Sequence, residues 1–391
     1  MTARHTLWRE SPAQCLKGDT LVFNATSGWP LTLEDLVGRR DGVVCTMREA
    51  GIIAPARPQA YVCAPPTQLY QLTTYTGRTI QSTADLSFLT QDGVWKTLET
   101  LGLSDAVAVV AAYPEMFGRG DSDAELIKLL AYLSARDAMD EVAPPFEDED
   151  VRRDFEAAVD GKGDRCEARM ADDGMTQLHI YGAFGQGSKV LRYLELVGVA
   201  GCTALDRFVP QFVYGLRREK LRLYLNRLFT CDGQIETSGR IAFHTRSLRM
   251  AQQVQHLLAR FGVVCLLRGI ESRGELEAVD LLINTKADVL RYIDEIGFLG
   301  SKAARAEEVR AALYGTRMLD ASPGRLGRLL FDRVIAVEPT TTEPGYGLAL
   351  DTYNFVAGDF VVRNHASSFA GMNHRPASST TTPALASAAA L

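Results

Sequence analysis

The sequence predicts an all-β body interrupted by an α/β domain. Three observations carry this. Residues 15–118 are short β-branched or alternating runs cut by Gly, Asp and Pro. At about residue 120 the apolar spacing changes to the helical period, and mixed α/β texture runs to about 318. From 319 to 364 the texture returns to β. Alternation and turn residues mark strands, and i, i+3, i+4 apolar spacing marks helices. The two β parts close one core if the ends of the insertion lie near each other, as domain termini often do.

In the first β part the runs are "TLVFNA", "GVVCTM", "AYVCA", "QLYQLTTYTGRTIQS" and "AVAVVAAY", and "DLSFLTQDGVW" carries an Asp92-Gly93 hairpin signal. The insertion opens on "DSDAELIKLLAYLSARDAMDE", with a Ser122/Asp123 cap before helix-period apolars. An acidic loop then enters a second helix, "PPFEDEDVRRDFEAAV". Further on come the helix "RREKLRLYLNRLFTCDG", the strand pair "QIETSGRIAFHT" and the helix "SLRMAQQVQHLLARFG". The predicted units are a flank at 1–14, a β part at 15–118, the insertion at 119–318, a second β part at 319–364 and a low-complexity tail at 365–391.

The 391 residues are 46% apolar, enough for more than one core, and the net charge of −6 gives no global sign of nucleic-acid binding. Seven cysteines without a CxxC pair argue against a disulfide framework or a zinc site. No apolar run approaches 18 residues and the N-terminus lacks an apolar leader core, so a cytoplasmic protein without membrane contact is expected. The sequence contains no Gly-rich nucleotide loop.

Two segments align with each other: "LAYLSARDA" at 130–138 and "LNRLFTCDG" at 225–233. Each is an apolar helical stretch ending in aspartate, Asp137 and Asp232. Small residues at Ala131 and Ala135 let two helices approach closely. A carboxylate at a helix C-terminus opposes the dipole, and two together are worse. A divalent cation between them relieves both, and carboxylate-held Mg²⁺ near phosphate is a means of activating water. The alternative is a solvated Asp at each helix end.

These segments resemble the paired motifs of LAGLIDADG (DOD-type) homing endonucleases. "VPQFVYGLRREKLRLYLNRLFTCDG" and "YIDEIGFLGSKAARAEE" are similar to the endonuclease inserted in actinobacterial inteins, notably those of replicative DNA helicases. The resemblance implies an αββαββα pseudo-dimer that saddles double-stranded DNA, acts as a monomer, and uses Asp137 and Asp232 as Mg²⁺ ligands. Between 186 and 260 basic residues outnumber acidic ones: Lys189, Arg192, Arg207, Arg217, Arg218, Lys220, Arg222, Arg227, Arg240, Arg246, Arg249 and Arg260. Lys189, Arg240, His244 and Arg246 are the candidate DNA contacts, and Lys189 and Lys302 the candidate catalytic lysines. Against them, "DEVAPPFEDEDVRRDFEAAVD" is acidic and would repel phosphate if it faced the groove.

The β parts resemble the Hint domain of inteins, block by block. "CLKGDTLV" matches the start, where the Cys15 thiol attacks the carbonyl of Gln14. "GRTIQSTADLSFLTQDGVW" matches the block that begins Thr-x-x-His, at Thr83, and "YGLALDTYNFVAGDFVVRN" the closing blocks, which end at the cyclising Asn364. The matched region is roughly 15–364, so flanking exteins in cis are implied partners.

Departures are specific. Leu86 stands in place of the block histidine, Gly347 and Tyr353 replace a frequent Asp and His, and Arg363 replaces the penultimate His. His365 occupies the position of the acceptor nucleophile. One acid–base group is worth about 10²–10⁴-fold in rate. The expectation is an endonuclease-bearing intein in which ligation of the flanks is impaired. The alternatives are a DNA-binding relic and a self-cleaving domain limited to the Cys15 junction.

Overall fold

The computed structural model describes residues 14–134, 142–143, 146–170, 176–182, 187–272, 275–315 and 324–363. The β-body is built on two long antiparallel strands, Ala60–Thr74 and Leu329–Ala349, whose register runs from Val334 opposite Thr74 to Ala349 opposite Ala60. One strand precedes the insertion and the other follows it, so the two β parts share one sheet, as expected. Helix α1 (Leu33–Arg39), capped by the Thr32 hydroxyl, buries Leu33 and Leu36 in the core of this body with Leu16, Leu72, Leu86, Phe88 and Phe360.

The inserted domain has two halves. The first contains α2 (Ala124–Ser134), α3 (Glu149–Gly161), strands Val142–Ala143, Asp164–Met170 and Thr176–Gly182, and α4 (Lys189–Leu196). A short α5 (Gln211–Tyr214) leads into the second half. That half contains α6 (Arg218–Asp232), strands Gly233–Ile235 and Ile241–Thr245, α7 (Leu248–Ala259), strands Leu266–Ser272 and Glu275–Ile283, α8 (Lys286–Glu295) and α9 (Ser301–Gly315). Its four strands form one antiparallel sheet.

Local chemistry explains the boundaries. The Asp123 carboxylate accepts from the Glu125 amide at the start of α2, and the Ser247 hydroxyl accepts from the Met250 amide at the start of α7. Gly93, at φ 79°, closes the hairpin between Ser87–Leu89 and Trp95–Thr97 at the expected Asp92-Gly93 turn. The acidic α3 lies against α2 and the strand Asp164–Met170. Glu149 and Glu156 pair with Arg152, one helical turn away on the same helix. Its Asp154 carboxylate accepts from Tyr132 of α2 at 2.9 Å and from Arg227 of α6 at 2.7 Å, and pairs with Lys128 at 2.9 Å. Burial works against the charge of Asp154, but Arg227 and Lys128 outweigh it and hold the carboxyl below its ordinary range. This acid therefore ties three helices together.

A buried polar seam joins the domain to the body. The hairpin of strands Asn354–Ala357 and Phe360–Arg363 turns at Gly358 and Asp359, both at positive φ (54° and 69°). The Asp359 carboxylate is buried and accepts from the Tyr113 hydroxyl at 2.5 Å and from Nδ1 of His256, on α7, at 2.8 Å. Arg260 donates through Nε to His256 Nε2 at 3.2 Å, and through its other nitrogens to the carbonyls of Tyr214 and Gly28, both at 2.6 Å. That geometry assigns the proton of a neutral His256 to Nδ1. Phe23 of the body stacks on the imidazole at 3.5 Å. Sequence charge counted Arg260 toward a DNA-facing surface; it is instead buried in this seam.

The seam governs stability in two ways. Asp359→Ala leaves Tyr113 and His256 without their shared acceptor and Arg78 without its ion-pair partner. A loss of about 3–5 kcal/mol is expected in chemical denaturation. Burial pushes the His256 imidazole down from 6.5 to about 4, against the pull of Asp359. The unfolded chain therefore binds a proton between pH 6.5 and 4 that the folded chain refuses, so stability falls as pH drops through that window. The thermal midpoint should decline from neutral pH toward pH 4, and His256→Asn, which keeps a donor at the Nδ1 position, should flatten that slope.

Candidate functional site

The body presents one site, at the junction of its two ends. Residues 83–86 form a turn closed by the Leu86 amide on the Thr83 carbonyl at 3.2 Å. The Cys15 amide donates to Thr83 Oγ1 at 3.1 Å, and the Thr83 amide donates back to the Cys15 carbonyl at 2.9 Å. Leu16 lies opposite Ser82 on one side of the turn, and Arg363 opposite Ser87 on the other. The leading and closing strands of the body thus meet on one short stretch. Close packing makes glycine necessary beneath it: a Cβ on Gly345 would fall 2.5 Å from that of Cys15.

Cys15 is fully buried, and burial, then Asp85 and Cys63, push its thiol up to about 12. At neutral pH only about one thiol in 10⁵ is then ionised, so attack requires a base. Thr83 is buried against the Cys15 backbone. Leu86 is not a substitute for an imidazole, because its side chain is in the hydrophobic core. Tyr353 is half exposed in a turn at φ 57°. The Arg363 guanidinium lies over the Trp95 ring at 5.4 Å. Asn364 lies outside the described residues.

The second site is at the packed pair α2 and α6, the helices that carry the two motifs. α2 and α6 pack against each other, with Ala131, Leu130, Leu225 and Leu228 buried. Their approaches are joined by main-chain bonds: Gly118 N to Leu216 O at 3.1 Å, Gly120 N to Gly215 O at 2.9 Å and Arg217 N to Gly120 O at 3.0 Å. A Cβ on Gly118 would sit 1.9 Å from the Gly215 carbonyl oxygen, so the crossing demands glycine. Asp232 is the last residue of α6. Asp137 and Ala135 lie outside the described residues.

Comparisons with known proteins agree with this layout. Residues 219–297 match the family model described as a LAGLIDADG-like domain. That region runs from the start of α6 to just past α8. The fold is a β-body carrying an inserted α/β domain whose second half matches the LAGLIDADG-like model. The chain is 27% identical over 316 residues to the replicative DNA helicase DnaB of Synechocystis sp., covering 76% of this chain and 36% of that protein. The DnaB of Rhodothermus marinus is 25% identical over 336 residues, covering 77% of this chain and 33% of that one. A DNA gyrase polypeptide of Mycobacterium kansasii is 27% identical over 265 residues, covering 63% of this chain and 47% of that one. The chain therefore spans between a third and a half of the length of these relatives. Among solved structures, the Ssp DnaB mini-intein variant M86 is aligned over 90% of this chain and 94% of that one at 13% identity, with a TM-score of 0.34. I-DmoI in complex with DNA and Mn is aligned over 44% of this chain and 96% of that one at 10% identity, with a TM-score of 0.33. The family match falls on the LAGLIDADG part of the resemblance read from the motifs, in the second half of the inserted domain.

Within the inserted domain, the predicted basic residues divide by environment. In the second half, Phe243, Val279 and Leu281 face the helices, while Ala242, His244, Arg268 and Asp280 share the opposite face. His244 Nδ1 is 2.9 Å from Asp280. Arg240 is paired with Glu236 in the hairpin turn, and Arg246 is exposed just beyond the strand. Lys189 is exposed at the first position of α4. In the first half, strands 164–170 and 176–182 place Arg165, Glu167, Arg169, His179 and Tyr181 on one face, with Arg169 over the Tyr181 ring at 4.9 Å. Sequence reasoning missed this surface because the acidic stretch beside it dominated the local charge. Several other basic residues are structural: Arg207 donates to the Ser134 carbonyl, Arg227 holds Asp154, and Arg218 pairs with Glu295.

Lys302 has an evident role. Its Nζ donates to the carbonyls of Thr230 and Gly233, both at 2.6 Å, around the C-terminus of α6. A cation there offsets the helix dipole beside Asp232. Among the described residues no cluster of three His, Cys, Asp or Glu side chains could hold a metal ion. Asp232 supplies a hard carboxylate oxygen of the kind Mg²⁺ prefers. Lys302→Met is expected to cost about 1.5–3 kcal/mol, from the loss of charge-assisted bonds to these carbonyls, in a denaturant titration of the full chain.

Proposed function

We propose that the inserted domain is a site-specific, Mg²⁺-dependent DNA endonuclease, and that the β-body is an intein in which ligation of the flanks is impaired. The observation that supports the nuclease best is the packed pair α2 and α6. The segments leading into their N-termini are joined at Gly118, Gly120 and Gly215, and the resemblance assigns catalytic aspartates, Asp137 and Asp232, to the C-terminal ends of the two motifs. Asp137 and Asp232 would hold the cation, which supplies charge stabilisation at a phosphodiester and a more acidic water. The two sheet faces, with Arg165, Arg169, Tyr181, His244, Arg246 and Arg268, would bear on the DNA. Their cations suit a phosphate backbone, and the Tyr181 ring suits a sugar or base edge. The chain is taken to act as a cytoplasmic monomer on double-stranded DNA, with its exteins in cis.

The impaired-splicing reading rests on Leu86, Arg363 and His365. Leu86 cannot transfer a proton, and an imidazole at 365 cannot carry the ester or thioester that ligation requires. Efficient ligated product from a chain with natural flanks would overturn it.

The nuclease is tested with uninterrupted DnaB and DNA gyrase coding DNA, the genes named by the relatives, together with a pooled random plasmid library. Wild type plus Mg²⁺ should linearise a discrete subset, and Asp232→Asn should lose cleavage by at least about 10²-fold while still binding. Arg246→Ala should weaken binding across all sequences and reduce the slope of log affinity against log salt by about one. Salt-sensitive binding without cleavage in Mg²⁺ or Mn²⁺ would instead favour the DNA-binding relic.

A further inference from the structure

The β-body has lost its block histidine, yet the turn around Cys15 carries another proton-transfer group. We propose that Asp85 is the proton relay of the Cys15 junction. This inference rests on the Hint reading of the body.

The turn's geometry supports it. Thr83 opens the turn and Leu86 closes it, so Asp85 occupies its third position. Thr83 exchanges two hydrogen bonds with the Cys15 backbone, which seats the Gln14–Cys15 peptide against the turn. The Gln14 side-chain amide donates to the Asp85 carbonyl at 3.0 Å, holding residue 14 beside residue 85. Asp85 Oδ1 is buried and has no hydrogen-bond partner among the described residues. A buried carboxylate oxygen without a donor is costly, and such groups concentrate where chemistry uses them. The carboxylate is also close enough for its charge to act on the Cys15 thiol. That influence opposes ionisation of the thiol on its own, but it suits a concerted transfer in which the carboxylate takes the proton as sulfur attacks.

The step balances without a co-reactant. Cys15 Sγ attacks the Gln14 carbonyl carbon and its proton passes to Asp85. The tetrahedral carbon then expels the Cys15 nitrogen, and Asp85 returns the same proton to that nitrogen. A C–S bond replaces a C–N bond, nothing is oxidised or reduced, and Asp85 ends as it began. Neighbouring Leu86 contributes no proton and stays in the core.

The test is intact-mass spectrometry of the purified full chain incubated with dithiothreitol, which captures the thioester and releases residues 1–14. Wild type should release this piece slowly and Cys15→Ala should not. Asp85→Asn should be at least about 100-fold slower, the scale of one acid–base group, and Asp85→Glu should recover part of the rate. Leu86→His supplies the missing imidazole and separates this inference from the reading beneath it, with its thermal midpoint measured alongside. Release from folded Leu86→His but not from wild type overturns the Asp85 relay and leaves the Hint reading in place. Equal release from wild type and Asp85→Asn also overturns the relay. No release from wild type or from folded Leu86→His overturns both.

Discussion

The β-body depends on one short stretch, Ser82 to Ser87, to which both of its ends are tied. The leading strand pairs at Ser82, the closing strand at Ser87, and the turn between them holds Cys15 by reciprocal bonds. Register is what makes this arrangement matter. In a sheet, a one-residue slip sends every side chain to the opposite face. The closing strand is buried on both faces, with Phe360 and Val362 in one hydrophobic cluster and Val361 in another, so a slip would exchange side chains between two packed cores.

A long insertion between the two halves of such a body poses a physical problem, because the closing strand must find its place after an entire second domain. Loop-closure entropy grows only slowly with length, so the insertion itself costs little. What must be fixed is its orientation. The seam of Asp359, His256, Arg260 and Tyr113 supplies directional bonds between α7 and the hairpin that contains the closing strand. Buried polar contacts add less net stability than apolar ones but reject misaligned packings strongly, because any shift leaves buried charges unpaired. The domain and the closing hairpin are therefore coupled in position.

The sequence made the architecture legible where local rules act alone. Period changes near 120 and 319 marked the insertion, Ser122/Asp123 was readable as a cap, and Asp92-Gly93 as a hairpin. Thr83 and Cys15 were legible because the order of the motif blocks constrains them. What local pattern does not encode is which charges meet. Arg207, Arg227 and Arg260 carried the same weight in the charge count as Arg246, yet they serve buried structural contacts. Asp359 and His256 are 103 residues apart and give no signal in either neighbourhood. The face bearing Arg165, Arg169 and Tyr181 was hidden by the acidity of α3, which pairs its charges with Arg152, Arg227 and Lys128.

Leu86 shows how the fold and its chemistry compete for one position. A histidine there would place a polar ring where the leucine packs with Leu98 and Phe88, and an unpaired buried polar group costs free energy. Leucine removes that cost and strengthens the core at the stretch to which both ends of the body are anchored. The proton-transfer function need not vanish with it. The position one residue earlier lies in the turn rather than the core, beside the Gln14 side chain, and it carries a carboxylate. On this view the substitution moved the titratable group by one residue and changed its type, from an imidazole to an acid. It does nothing for the far end, where Arg363 is stacked on Trp95 and the acceptor nucleophile is missing. Under the proposed reading the two halves of the splicing reaction would be separable in this chain, with cleavage at Cys15 kept apart from ligation.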